Sequence, residues 1–272
     1  ARKKSPGYDM ITPELIQLLP NNAVQYITAM INGILRSPTF PGALKHVVIV
    51  LIPKPNKPQN EPKNRWPIGL LSVLGKIVER ALLPHLLQVV NPLILDNQRR
   101  FRKHMEMTQA IAELVEFAYQ DYKTRHLTSL ITLDLEKAFD KVDHPTLIQT
   151  LVDEDLNPSW TKLIQTYITN RTFSVRVGQH VTNTRHSIRA SVPQGSVWGP
   201  VLYNVYICQI PKPETQKTRL IMYADDITVL SRGLRAHEKA QDALDEINTW
   251  AVNQNIGINP TKCQAMVMKL NR

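Results

Sequence analysis

RLIMYADDITVL, residues 219–230, is two apolar arms around a polar centre. That pattern predicts a strand hairpin with Asp225 and Asp226 at its tip. A second segment, LTSLITLDL (127–135), is a strand of Thr, Ile and Leu that delivers another acid, Asp134, at its end. Neighbouring carboxylates repel, and their pKa values are driven apart unless a cation neutralises them. Hard oxygen ligands on strands suit Mg²⁺, which takes one or two carboxylates and leaves room for substrate phosphates. Two such ions stabilise both the attacking and the leaving oxygen in phosphoryl transfer. A hairpin turn that simply favours Asp accounts for the pair as well.

Around these two segments, strands and helices mix along the whole chain. Helical spacing marks 12–19 and 22–36. HVVIVLIP (46–53) reads as a buried strand stopped by Pro53, and 54–67 as a proline-punctuated basic loop. Residues 70–90 are helical with a bend expected at Pro84, and 108–124 form an amphipathic helix with Thr108 as its N-cap. Helices follow at 145–152 and 158–169, a hairpin at 173–177 and 186–192, and a short helix at 199–210. A helix at 237–255 and a strand at 264–270 end the chain. The class is α+β or mixed α/β.

Charge is distributed unevenly. Residues 1–104 carry 15 Lys and Arg against 5 Asp and Glu, while 105–272 carry 18 of each, so the whole net charge of +10 lies in the first part. Such asymmetry suits a polyanionic partner such as nucleic acid, and a basic, soluble surface equally. The longest aliphatic run, Val47–Ile52, is far short of the ~20 residues of a membrane helix, and no secretory leader is present. Cys208 and Cys263 have no metal-type spacing, so reduced intracellular thiols are expected. The chain does not begin with Met and reads as cut from a longer polypeptide.

Longer strings weigh the alternatives. ITLDLEKAFDKVDH (131–144), ASVPQGSVWGP (190–200) and YADD (223–226), in that order, resemble three motifs of reverse transcriptases. SPGYDMITPELI (5–16) and PIGLLSVLGKIVERAL (67–82) resemble the non-LTR (LINE-type) retrotransposon branch, and within it jockey-like elements. The resemblance runs from about Ser5 to Leu270. It implies a right-hand polymerase with a fingers–palm arrangement, the palm an antiparallel sheet backed by helices. Residues 1–104 would be mainly fingers and 105–272 mainly palm, with no residues left for a thumb. It implies RNA-directed DNA synthesis from an RNA template, a DNA primer and deoxynucleoside triphosphates, with two Mg²⁺ ions and Mn²⁺ as a substitute. By the same resemblance, Asp134, Asp225 and Asp226 are the catalytic carboxylates and metal ligands, the Leu135 carbonyl completes the metal shell, and Lys262 protonates the leaving pyrophosphate. Phe139 would lie under the incoming sugar. Pro193, Gln194 and Gly195 would support the template base and nucleotide. Lys54 and Lys57 fall where fingers meet template or triphosphate, and the basic cluster Arg99, Arg100 and Arg102 is assigned to nucleic acid.

Some positions depart from the family pattern. Arg65-Trp66-Pro67-Ile68-Gly69 stands where tyrosine-arginine-proline-isoleucine-serine is usual, so Trp66 replaces an arginine that contacts the triphosphate. One indole N–H without charge is no substitute for a bidentate guanidinium. Arg99 and Arg100 replace an aromatic and a glycine, Met105 and Glu106 a polar pair, and Trp198 a leucine. The carboxylates persist while supporting positions drift, a pattern that also fits a decaying copy that only binds nucleic acid.

Overall fold

The computed structural model describes residues 5–58, 60–61, 64–102, 105–120, 127–213, 215 and 217–269. The expected helix end at 121–124, Leu270, and parts of the basic segments 54–67 and 97–104 lie outside the described residues. The chain forms two compact units. One holds residues 1–91 and 143–202, the other 92–142 and 203–272.

In the first unit, α1 (Pro13–Gln17) is capped by Thr12 and α2 (Asn21–Arg36) follows. β1 (His46–Pro53) pairs antiparallel with β2 (Arg65–Leu70). β2 starts inside the stretch expected to be loop. It is an edge strand of its sheet, where Pro67 is tolerated because no ladder donor is needed on the open side. α3 (Val73–Val90) continues through Pro84, capped by Ser72, whose hydroxyl donates to Asp9 Oδ2 at 2.5 Å. A Cβ on Gly7 would lie 2.7 Å from the Ser72 nitrogen, so the SPGYD segment needs a glycine there.

α5 (His144–Asp153) and α6 (Pro158–Ile168) pack on each other before β4 (Arg171–Val177). β4 does not form a simple hairpin. It pairs with the short strands β5 (His180–Val181) and β6 (His186–Ile188) and lies parallel to β1, His46 opposite Thr172. A parallel partner so far along the chain requires a long crossover, which no local pattern announces. This pairing returns 143–202 to the first unit, so the compact units do not divide at a single point near residue 104. Phe40, Tyr167 and Trp198, all buried, form an aromatic cluster with ring centroids 4.8–6.2 Å apart.

The second unit is an antiparallel sheet in the order β7 (Thr218–Tyr223), β8 (Asp226–Arg232), β3 (Leu127–Asp134), β9 (Gln264–Lys269). Two helices back it. α4 (Met107–Tyr119) sets Ala110, Leu114 and Phe117 against Leu130, Ile221 and Leu230. Its N-cap is Glu106 rather than Thr108, in a capping box with Gln109. α8 (Ala236–Asn253) buries Ala240, Ala243, Ile247, Trp250 and Ala251, the face its spacing predicts. α7 (Gly199–Tyr206) carries the boundary between the units. Among the described residues no helix is long and apolar enough to cross a membrane.

Candidate active site

The polar centre of the hairpin is a tight turn. Tyr223 pairs with Asp226, leaving Ala224 and Asp225 as its central residues. Ala224 is buried with φ of +61°, whereas Asp225 is not in the positive-φ region. Positive φ at the first central position is the glycine-favouring half of a type II′ turn. For Ala this conformation costs about 1–2 kcal/mol.

Strand register brings the third acid in. Asp134, the last residue of β3, is the partner of Asp226, the first residue of β8. The Asp134 carbonyl accepts from Asn259 N–H at 2.9 Å, on the β9 side. Asp134 and Asp226 are therefore a non-hydrogen-bonded pair, the kind whose side chains lie closest, on one face of the sheet. Strand alternation turns the Leu135 carbonyl the other way, toward the side of β8, as its bridge with Ile258 requires. The turn after α8 is bonded to the end of β3, and Lys262 N–H closes it by donating to the Asn259 carbonyl at 3.1 Å. This carries Lys262 Nζ to 3.1 Å from Asp134 Oδ2 and 3.4 Å from Oδ1.

Burial raises the Asp226 pKa above the ordinary carboxylate range, and the charges of Asp225 and Asp134 raise it further. Arg100 opposes that shift. Its guanidinium donates to Tyr223 Oη at 2.7 Å and lies over the Tyr223 and Phe101 rings, 4.7 and 5.1 Å from their centroids. A hard cation beside Asp226 would offset both the burial and the neighbouring charges. Among the described residues no group of three or more His, Cys, Asp and Glu converges on one point, and the Lys262 ammonium stands on Asp134.

Phe139 stacks on Tyr203 (4.5 Å, 20°) and meets Phe101 edge-on (6.0 Å, 88°). Tyr203 is buried and its hydroxyl has no hydrogen-bond partner among the described residues. Burial, and then the charges of Asp225, Tyr206 and Asp226, push its pKa well up, so it stays protonated.

The remaining expected site residues divide in two. Arg99 pairs with Glu113 at 2.6 Å, and Arg102 donates to the Leu95 carbonyl at 2.9 Å with Asp96 3.7 Å away. A count of basic residues cannot see these partners, so the cluster is no uniform surface of unengaged arginines. Arg65, Trp66, Gln194, Gly195, Lys54 and Lys57 belong to the first unit. Arg65 and Trp66 open β2, with Trp66 half-exposed, and Lys54 and Lys57 follow β1. Gly195 has φ of +79°, which explains glycine there. The loop it belongs to is anchored by buried Glu79, whose Oε2 accepts from the amides of Val197 (2.5 Å) and Trp198 (3.2 Å). Trp198 Nε1 donates to the Glu79 carbonyl at 2.8 Å, so this departure from leucine is built into the core.

Sequence reading missed Glu79, Gln98, Tyr203 and Tyr223 as site supports. Glu79 and Tyr223 lie inside quoted motifs, but their partners are distant in sequence.

The profile of the family described as "Reverse transcriptase (RNA-dependent DNA polymerase)" matches residues 52–271. The chain belongs to the reverse transcriptase family. Among its relatives, a probable RNA-directed DNA polymerase from transposon X-element of Drosophila melanogaster is 32% identical, over all of this chain and 31% of its own length. The RNA-directed DNA polymerase from mobile element jockey of Drosophila funebris is 33% identical, over 96% of this chain and 30% of its own. This reverse transcriptase chain therefore spans about a third of the relatives it matches. Among solved structures, telomerase from Candida tropicalis, in complex with a fragment of telomeric RNA, aligns with a TM-score of 0.60. It covers 82% of this chain and 41% of that one at 12% identity, a likeness of fold. The right-hand polymerase fold and the non-LTR branch implied by the motifs both agree with these matches. Reverse transcriptases as a family depend on divalent metal.

Proposed function

We propose that this chain is the polymerase core of a non-LTR retrotransposon reverse transcriptase, extending a DNA primer along an RNA template. The observation that carries the reading is the register that sets Asp226 opposite Asp134 beside Asp225, in a chain matched by the family over most of its length. In this reading the primer 3′-hydroxyl attacks the α-phosphate of a deoxynucleoside triphosphate, and the bond to the β-phosphate breaks. Asp134, Asp225, Asp226 and the Leu135 carbonyl would hold two Mg²⁺ ions, or Mn²⁺ in their place. When bound, these ions supply activation of the hydroxyl and neutralisation of phosphate charge. Lys262 would leave Asp134 and give a proton to departing pyrophosphate. Phe139, fixed between Tyr203 and Phe101, would exclude a 2′-hydroxyl. Arg65, Trp66, Gln194 and Gly195 are assigned to nucleotide, and Lys54, Lys57 and Arg100 to nucleic-acid phosphates. Residues 1–91 and 143–202 are proposed to be mainly fingers, the rest mainly palm, in an intracellular protein.

The test is Mg²⁺-dependent extension of primed poly(rA). Activity is expected from the chain and should fall to background in Asp134→Asn and Asp225→Asn, with RNA binding retained. Full-rate extension by either variant would overturn the site. The second reading, a silent nucleic-acid binder, is favoured by Trp66 standing in place of arginine. Salt-sensitive RNA binding without extension would select it.

A further inference from the structure

The tip of the β7–β8 hairpin needs a support that its own sequence does not supply. Ala224 takes up positive φ where glycine is the usual residue. The support comes from Gln98, 126 positions away and only 1% exposed. Ala224 N–H donates to Gln98 Oε1 at 2.9 Å, and Gln98 Nε2 donates to the Ala224 carbonyl at 3.2 Å. One carboxamide thus holds both peptide groups of the strained residue.

Gln98 is itself held. Arg100 N–H also donates to Oε1 at 2.9 Å, which fills both acceptor positions of that oxygen. Two N–H groups face one end of the carboxamide and a carbonyl faces the other, so only one amide orientation satisfies all three. The flanking backbone is laced to β7. Met222 N–H donates to the Asn97 carbonyl at 3.0 Å, and Arg99 N–H to the Met222 carbonyl at 2.9 Å. Asn97 Nδ2 reaches the Leu220 carbonyl at 3.2 Å, and Asn204 Nδ2 the Arg100 carbonyl at 3.0 Å. Residues 97–100 form a short parallel splint along the strand leading into the acidic turn.

We propose that Gln98 is a positioning residue for the catalytic carboxylates: its buried carboxamide clamps Ala224 in the left-handed conformation and so fixes the aim of Asp225 and Asp226. This rests on the reading of those carboxylates as the metal-binding set. The chemistry restricts the position to glutamine. Glutamate would face the Ala224 carbonyl with an oxygen and add a fourth negative charge. Methionine has the length but neither bond.

The test is a double-mutant cycle on the whole chain with two readouts, Mn²⁺ binding by electron paramagnetic resonance and hydrogen exchange of the Ala224 and Asp225 amides. Gln98→Met, close in volume, should speed exchange of the Ala224 amide and weaken Mn²⁺ binding, each by about tenfold. Adding Ala224→Gly removes the steric need for the clamp, so Gln98→Met/Ala224→Gly should recover most of the lost Mn²⁺ affinity. Ala224→Gly alone completes the cycle. Unchanged exchange and affinity in Gln98→Met would overturn the proposal. So would a folded double variant that recovers nothing, since Gln98 would then serve packing alone. If Gln98→Met does not fold, a double variant that folds and binds supports the clamp, and one that also fails to fold overturns it. If the parent chain binds no Mn²⁺, the metal-site reading fails, and amide exchange still decides whether Gln98 holds the turn.

Discussion

Trp66 lies in β2 opposite Ile52, half-exposed, at the position where the family's pattern has an arginine. A triphosphate is a multiply charged anion, and one charge-assisted contact to it is worth about 1.5–3 kcal/mol. Trp66→Arg is therefore expected to raise kcat/KM for deoxynucleotide by at least ~10-fold at fixed primer–template. No change in an active protein would mean that the contact is dispensable. Arg65 does not replace it by default, because adjacent residues of a strand face opposite ways. At this scale the sequence was legible where a residue's placement follows from its own chemistry. Asp134, Asp225 and Gly195 announce themselves by charge in an apolar strand or by a motif. Gln98 and Glu79 do not, since each acts on the backbone of a segment more than a hundred positions away.

Among the elements, the segment 97–102 changes its meaning most. Arg99 holds Glu113 of α4, which also meets Arg219 of β7 at 3.4 Å, so this arginine ties helix to strand. With Arg102 engaged at Leu95 and Asp96, Arg100 remains as the one arginine of the three with no acidic ion-pair partner among the described residues. Neutralising all three is expected to lower the salt slope of RNA binding by about 1, where three phosphate contacts would give about 3. A drop near 3 would mean that nucleic acid displaces both acids. α3 carries the second element-scale expectation. Burial raises the pKa of Glu79 against the opposing effect of the Val197 and Trp198 amides and of Arg171. A carboxyl raised in the folded state contributes stability below its unfolded pKa and loses it as pH rises through the folded value. Glu79→Gln should therefore gain on the parent in urea denaturation as pH climbs from about 4 toward neutrality. A pH-independent difference would remove Glu79 as the cause. Helices α2, α3 and α8 and the hairpin β7–β8 were readable because periodicity is local. The start of β2 within a proline-rich basic stretch was not, because its strand character comes from β1 beside it.

For the molecule as a whole, connectivity matters more than composition. β1 pairs with β4, and β3 pairs with β8 and β9, so each unit is closed by residues from late in the chain. Residues 1–142 alone hold β1, β2 and β3 without those partners. That segment is expected to show no cooperative melt and little amide protection, whereas the full chain should show both. A sigmoidal melt with native-like spectra for 1–142 would refute this. Sequence patterning gave the right class because strands and helices alternate visibly. It missed the division into units because parallel pairing leaves no mark at the turn residues.

The chain passes from the first unit to the second after Asn91, back after Val142, and across again after Leu202. In genetic terms, a premature stop or a recombination break between codons 92 and 202 spoils both halves together. A stop after codon 202 still encodes every residue of the first unit, whereas a stop inside that stretch leaves neither unit complete. Shuffling between divergent copies is therefore expected to tolerate a break after codon 202 better than one between codons 92 and 202.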